Sequence, residues 1–182
     1  MLAVSHFRFA EPTEAGLRLQ VFATLAYGGR GVSYFTYFTP AVGNYRLAAI
    51  DQFGHKTPTW DMLQRVNLQL HRLAPTYSRL TWVNTFHHPS APAGSQRIAS
   101  SRYVESVDGP GSYLIGEFED HRGRPWVLIV NKDLRFSANF GIEFKQPGFI
   151  HLINNYSGGE EQWAGENNWL APGQGMLLTV RR

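Results

Sequence analysis

The sequence predicts two strand–helix units of a parallel α/β fold followed by an antiparallel β-sandwich. Three observations carry this. Two apolar helix periods occupy the first eighty residues, each preceded by an extended apolar run; the rhythm changes after Trp82 to short strand-like runs; and glycine or proline turns separate those runs.

Leu2-Ala3-Val4-Ser5-His6-Phe7 predicts a short buried strand. Glu11-Pro12-Thr13 predicts a helix entry with Thr13 as cap, and Leu17, Val21 and Leu25 recur every fourth residue beside Phe22 and Ala26. Gly28-Gly29 ends that helix, because glycine tolerates the left-handed conformation. Gly31 to Phe38 is aromatic and β-branched without polar alternation, which predicts a strand covered on both faces. Thr57-Pro58 opens a second helix with the stripe Met62, Leu63, Val66, Leu70 and Leu73, and Pro75 is expected to end it. Two such units are too few to close a barrel or an open sheet, so residues 1–80 read as an incomplete α/β piece.

Residues 81–96 read as a connection, with a proline- and small-residue-rich stretch from His88 to Gln96. Strand-like runs follow at Tyr103–Val107, Tyr113–Phe118, Trp126–Asn131, Phe136–Phe144, Phe149–Ile153, Glu160–Trp163 and Met176–Val180. Their spacing predicts an antiparallel β-sandwich over residues 97–182, able to bury a core of its own.

Composition narrows the function classes. Hydrophobic content of 43% with 17% charged residues belongs to a folded chain, and the 14% aromatic share suits strands, large cores and sugar-stacking surfaces. With no cysteine, disulfides, thiolate nucleophiles and cysteine-ligated zinc are excluded. Met1 to Ala10 has neither a basic run nor a long apolar one, so no signal peptide is read, and no membrane span is expected. The location is left open between the bacterial cytoplasm and export as part of a longer parent. The net charge of +3 divides into +4 over residues 1–80 and −1 over the remainder, carried mostly by isolated arginines; nucleic acid is not an expected partner.

Leu17-Arg18-Leu19-Gln20, Leu25-Ala26-Tyr27-Gly28, Gly31 and Tyr34-Phe35-Thr36-Tyr37 form a pattern that resembles the last strand–helix units of (β/α)8-barrel glycoside hydrolases of the β-galactosidase-like kind. Leu2 to His6 resembles the seventh barrel strand, and Gly31 to Phe38 leads into the eighth. Lys56-Thr57 and Val66-Asn67 continue the likeness. Gly116-Glu117-Phe118, Val130-Asn131 and Pro172-Gly173-Gln174-Gly175 resemble the C-terminal sandwich of such enzymes. The resemblance implies two βα units of a TIM-type barrel, truncated, with a sugar site at the carboxyl ends of the strands. Phe38 departs from the tryptophan expected to close a sugar subsite.

Glycosidases of either stereochemistry need two carboxyl groups flanking the scissile bond. Near the first strand only Glu11 and Glu14 are available, and both read more economically as first-turn helix acids. His6 and Glu11 are the candidate catalytic residues, and Tyr37, Phe38 and Thr39 the candidate substrate-binding ones. Glu117, Glu119 and Asp120 form a candidate calcium site, although a solvated acidic edge accounts for them better; no other cofactor is expected. His87 and His88 are adjacent and would point to opposite strand faces, so they make no metal pair.

The first functional expectation is a glycoside-hydrolase-like protein lacking a complete two-carboxylate site, with carbohydrate binding at most. The alternative is a small standalone hydrolase of an ester, lactone or glycoside, cation-dependent or not, with its site at the domain junction or a dimer interface. The first two strands lack proline and, apart from His6, side chains charged near neutral pH, so an open edge there predicts a homo-oligomer through residues 1–40.

Overall fold

A computed structural model describes residues 1–165 and 168–182. Two helices, α1 (Glu14–Ala26) and α2 (Pro58–Tyr77), precede the strands β1 (Thr81–His88), β2 (Gln96–Arg97), β3 (Val104–Asp108), β4 (Tyr113–Glu119), β5 (Pro125–Asn131), β6 (Ala138–Asn139), β7 (Gly141–Phe144), β8 (Phe149–Ile153), β9 (Glu160–Gln162), β10 (Trp169–Leu170) and β11 (Gly175–Arg181). Seven of them form one mixed sheet in the order β2-β1-β4-β5-β11-β8-β9, in which only β1 and β2 run parallel. Two small sheets, β3 with β7 and β6 with β10, complete the strand pairing. Among the described residues no helix is long and apolar enough to cross a membrane.

The large sheet is covered on both faces, which is why β4 and β5 are buried along almost their whole length. On one face Leu114, Phe118, Trp126, Leu128, Val130 and Leu177 pack against Leu17, Val21, Phe22 and Leu25 of α1 and Leu63, Val66 and Leu73 of α2. On the other, Tyr113, Ile115, Val127, Ile129 and Leu178 meet Val104, Val107, Ile142 and Leu170 from the small sheets and Phe140 from between β6 and β7. The first core is built jointly by residues 1–80 and the sheet.

The helix caps follow the sequence. Thr13 Oγ1 accepts from Gly16 N at 3.0 Å, and Thr57 Oγ1 accepts from Thr59 N at 3.2 Å. Gly28 takes φ 80° just past α1. The helix α2, however, runs through Pro75 to Tyr77. Proline removes one intrahelical donor, but two side chains secure the last turn. The Arg30 guanidinium donates to the carbonyl of Tyr77 at the helix end and to those of Ser78 and Leu80 just past it. The Tyr77 hydroxyl donates to Leu25 O at 2.7 Å and Gly29 O at 3.0 Å, tying the ends of the two helices together.

The two extended segments before the helices are shorter than predicted. Leu2 and Phe35 form a parallel bridge, with Ala3 N donating to Phe35 O and Phe35 N to Met1 O, both at 2.8 Å. Ser5 pairs with Arg46 and Phe38 with Ile50, but these bridges remain isolated. Segment 31–37 alternates, with Val32, Tyr34 and Thr36 half-buried and Ser33, Phe35 and Tyr37 exposed, so it is covered on one face and not on two.

Residues 81–88, read as part of the connection, form the eight-residue strand β1, paired to β4 with an irregularity between Trp82 and Asn84. The run from Phe136 to Phe144 divides at Phe140, so that β6 and β7 join different small sheets. Gly116 explains how α1 lies so close to β4: a Cβ there would overlap the carbonyl oxygen of Ala26 and lie 2.8 Å from its Cα.

Candidate functional site

The residues at the carboxyl ends of the first two extended segments have separate partners. His6 sits among three rings, with centroids at 4.2 Å from Phe7, 5.4 Å from Phe9 and 4.5 Å from Tyr45. Glu11 pairs with Arg46 at 3.3 Å, exposed on both sides. Glu14 is held by Arg65 at 2.8 Å and by Arg18 at 3.5 Å. Each of these carboxylates therefore has a cationic partner. Tyr37 and Phe38 are exposed and meet edge to face at 5.2 Å. Thr39 is a fastening residue: its hydroxyl donates to Ile50 O at 3.1 Å and accepts from Ala48 N at 3.3 Å.

The acidic group in the sheet has other partners too. Glu117 is fully buried and accepts from the Ser101 hydroxyl, from Tyr103 N at 3.0 Å and from Arg102 N at 3.2 Å. Two residues along the same strand face, Glu119 takes the Tyr103 hydroxyl and the Arg102 guanidinium at 2.6 Å. Asp120 closes the β4–β5 turn, accepting from the backbone of Arg122 at 2.8 Å and Arg124 at 3.0 Å and from Arg124 Nε at 2.6 Å. Those donors outweigh its burial and hold the Asp120 carboxyl below the usual carboxylate range. The three acids thus fasten segment 101–103 and a hairpin turn. Among the described residues no group of three or more His, Asp or Glu is arranged to hold a metal ion.

A cleft of about 540 Å³ lies instead between α2 and the segment from Val32 to Tyr37. Its walls include the rings of Tyr34, Tyr37 and Trp60, and its polar groups come from Ser33, Gln64, Asn67 and His71. The Tyr34 hydroxyl donates to Asn67 Oδ1 at 2.8 Å, which takes one lone pair of the amide oxygen and leaves the NH2 group as a donor to a guest. Burial pushes the Tyr34 phenol up, so that it stays a neutral donor. The Lys56 ammonium lies 3.4 Å from the centroid of the Trp60 ring, placing a cation beside the cleft. A second cavity of about 370 Å³ shares Val32, Asn67 and His71 with the first and continues toward Arg30 and Tyr77. No carboxylate lines either cavity among the described residues.

Chemically, the cleft offers flat rings, an amide, an imidazole and a hydroxyl, in a volume ordinary for a small-molecule site. Of the residues singled out for a sugar, only Tyr37 reaches it. Trp60, Gln64, Asn67 and His71 recur at helical spacing beside the apolar stripe of α2, and that periodicity was the available signal.

No family model, no curated protein and no solved structure matches this chain.

Proposed function

We propose that this chain is a glycoside-hydrolase-like carbohydrate-binding protein that holds a sugar in the cleft along α2 without hydrolysing it. One observation carries the reading: three aromatic rings and an amide–imidazole pair converge on a cavity of about 540 Å³ whose described lining contains no carboxylate. Aromatic faces stack against the C–H face of a pyranose, and amide and imidazole groups fix its hydroxyls. Hydrolysis needs two carboxyl groups, and Glu11 and Glu14 are each paired with arginine. Descent from a barrel hydrolase is supported by the parallel bridge between Leu2 and Phe35 across α1, the connectivity of a β–α–β unit.

Titration with lactose and a short β-linked galactan, followed by tryptophan fluorescence, tests the reading. Trp60→Ala and Tyr34→Ala should each weaken binding by about 1 kcal/mol, roughly fivefold, the size of one stacking contact. Affinity that is unchanged in both variants would place any sugar elsewhere.

We also infer self-association through residues 1–40. Leu2, Phe7, Phe35, Tyr37 and Phe38 are exposed there, beside an extended segment paired by single bridges.

A further inference from the structure

Away from the cleft, three side chains form a hydrogen-bonded chain where the end of α1 meets the sheet. His87 is on β1 and 9% exposed. Its Nε2 lies 2.9 Å from the Tyr27 hydroxyl and its Nδ1 lies 3.3 Å from Lys132 Nζ. Tyr27 caps α1 and is 54% exposed, whereas Lys132, just past β5, is half-buried. Among the described residues Lys132 has no carboxylate within ion-pair distance. The neighbouring Asp133 carboxylate is occupied by the backbone of Arg135 at 2.6 Å and Phe136 at 2.8 Å.

We propose that Lys132 is a carbonyl-reactive amine that captures small aliphatic aldehydes as an imine, with His87 and Tyr27 as its proton relay. An ammonium cannot attack a carbonyl; it must first lose a proton. Lys132 can hand one to His87 Nδ1, while the imidazole releases one from Nε2 to the Tyr27 oxygen, which reaches solvent. The free Nζ lone pair then forms a C–N bond with the aldehyde carbon. The carbonyl electron pair moves to oxygen, which takes up one of the two protons on the nitrogen to give a neutral carbinolamine. Loss of that hydroxyl as water, with loss of the remaining proton on nitrogen, leaves the imine. Amine and aldehyde give imine and water, and no oxidant or reductant is needed. Two shifts agree with the geometry: burial lowers the Lys132 ammonium, and burial followed by the Lys132 charge lowers His87.

The chain has three lysines, Lys56, Lys132 and Lys145, so each protein molecule carries its own controls. The full chain is incubated with glyceraldehyde and cyanoborohydride near neutral pH, and adducts are read by peptide mass mapping. Lys132 should be labelled several-fold faster than exposed Lys56, and its labelling should rise at lower pH than that of Lys56. Tyr27→Phe and His87→Gln should bring the Lys132 rate down to that of Lys56, with Lys56 and Lys145 unchanged. A Lys132 rate no greater than that of Lys56, or one unaffected by Tyr27→Phe, overturns the proposal. Because Tyr27 is exposed and its ring is retained, that variant decides the matter even where His87→Gln fails to fold.

Discussion

Glu117→Ala is the substitution whose cost follows most directly from the structure. The carboxylate is fully buried and takes three donors from residues 101–103. Its removal leaves the Ser101 hydroxyl and Arg102 N without that acceptor, whereas Tyr103 N retains a longer bond to Ser101 Oγ at 3.3 Å. Stranding the buried Ser101 hydroxyl costs about 1–3 kcal/mol, and the part-buried Arg102 N–H adds less because water can reach it, so the two together should cost about 2–4 kcal/mol. In a chain of this size that lowers Tm by roughly 10 °C. Thermal and urea unfolding near neutral pH, with and without chelator, reads the effect. Chelator should leave the wild-type curve unmoved, because the acceptor sites of Glu117 are taken by protein donors. A loss below about 0.5 kcal/mol, the scale of an ordinary surface substitution, would refute the clasp. A wild-type Tm that falls with chelator and recovers with calcium would return Glu117, Glu119 and Asp120 to a cation.

Further outcomes are expected elsewhere in the chain. Tyr77→Phe keeps the ring but removes the hydroxyl that serves Leu25 O and Gly29 O, and should cost about 1–2 kcal/mol in urea unfolding. His87 is held below its ordinary value of 6.5, so the unfolded state binds protons more readily; stability should fall as pH drops below that value, and His87→Gln should flatten the slope. Light scattering should report a dimer or larger species, and Phe35→Lys with Phe38→Lys should shift it toward monomer; a wild-type monomer would end the self-association proposal.

Much of the architecture was legible because it rests on local chemistry. Thr13, Thr57-Pro58 and Gly28 set helix ends through backbone donors and φ, and Leu17, Val21 and Leu25 mark the face of α1 that reaches the sheet. The strands around Val127 and Leu177 were visible for the same reason, as short apolar runs between turns. What escaped depends on distant partners. Thr81 to His88 mixes Asn84, Thr85 and two histidines among its apolar residues, and follows directly on a helix end; only pairing with β4 reveals it as a strand. Pro75 looked like a stop because the guanidinium of Arg30, far away in sequence, could not be foreseen at the carbonyls of Tyr77, Ser78 and Leu80. The cleft joins residues 32–37 to one face of α2 across some thirty residues, so neither half announced it. Glu117 and Glu119 did share a strand face as expected, but their neighbours on that face proved to be donors from residues 101–103.

The central claim is that a sugar is held and left intact, and one NMR sample tests both halves. Lactose is mixed with the protein and its anomeric proton signals are followed over time. Binding in the cleft should broaden those signals, and Trp60→Ala should sharpen them again, while no free galactose or glucose signals grow in. Sharp lactose signals at every protein concentration would contradict binding of this sugar. The appearance of free monosaccharide would contradict the absence of a working carboxylate pair, the more so if Glu11→Gln abolished it.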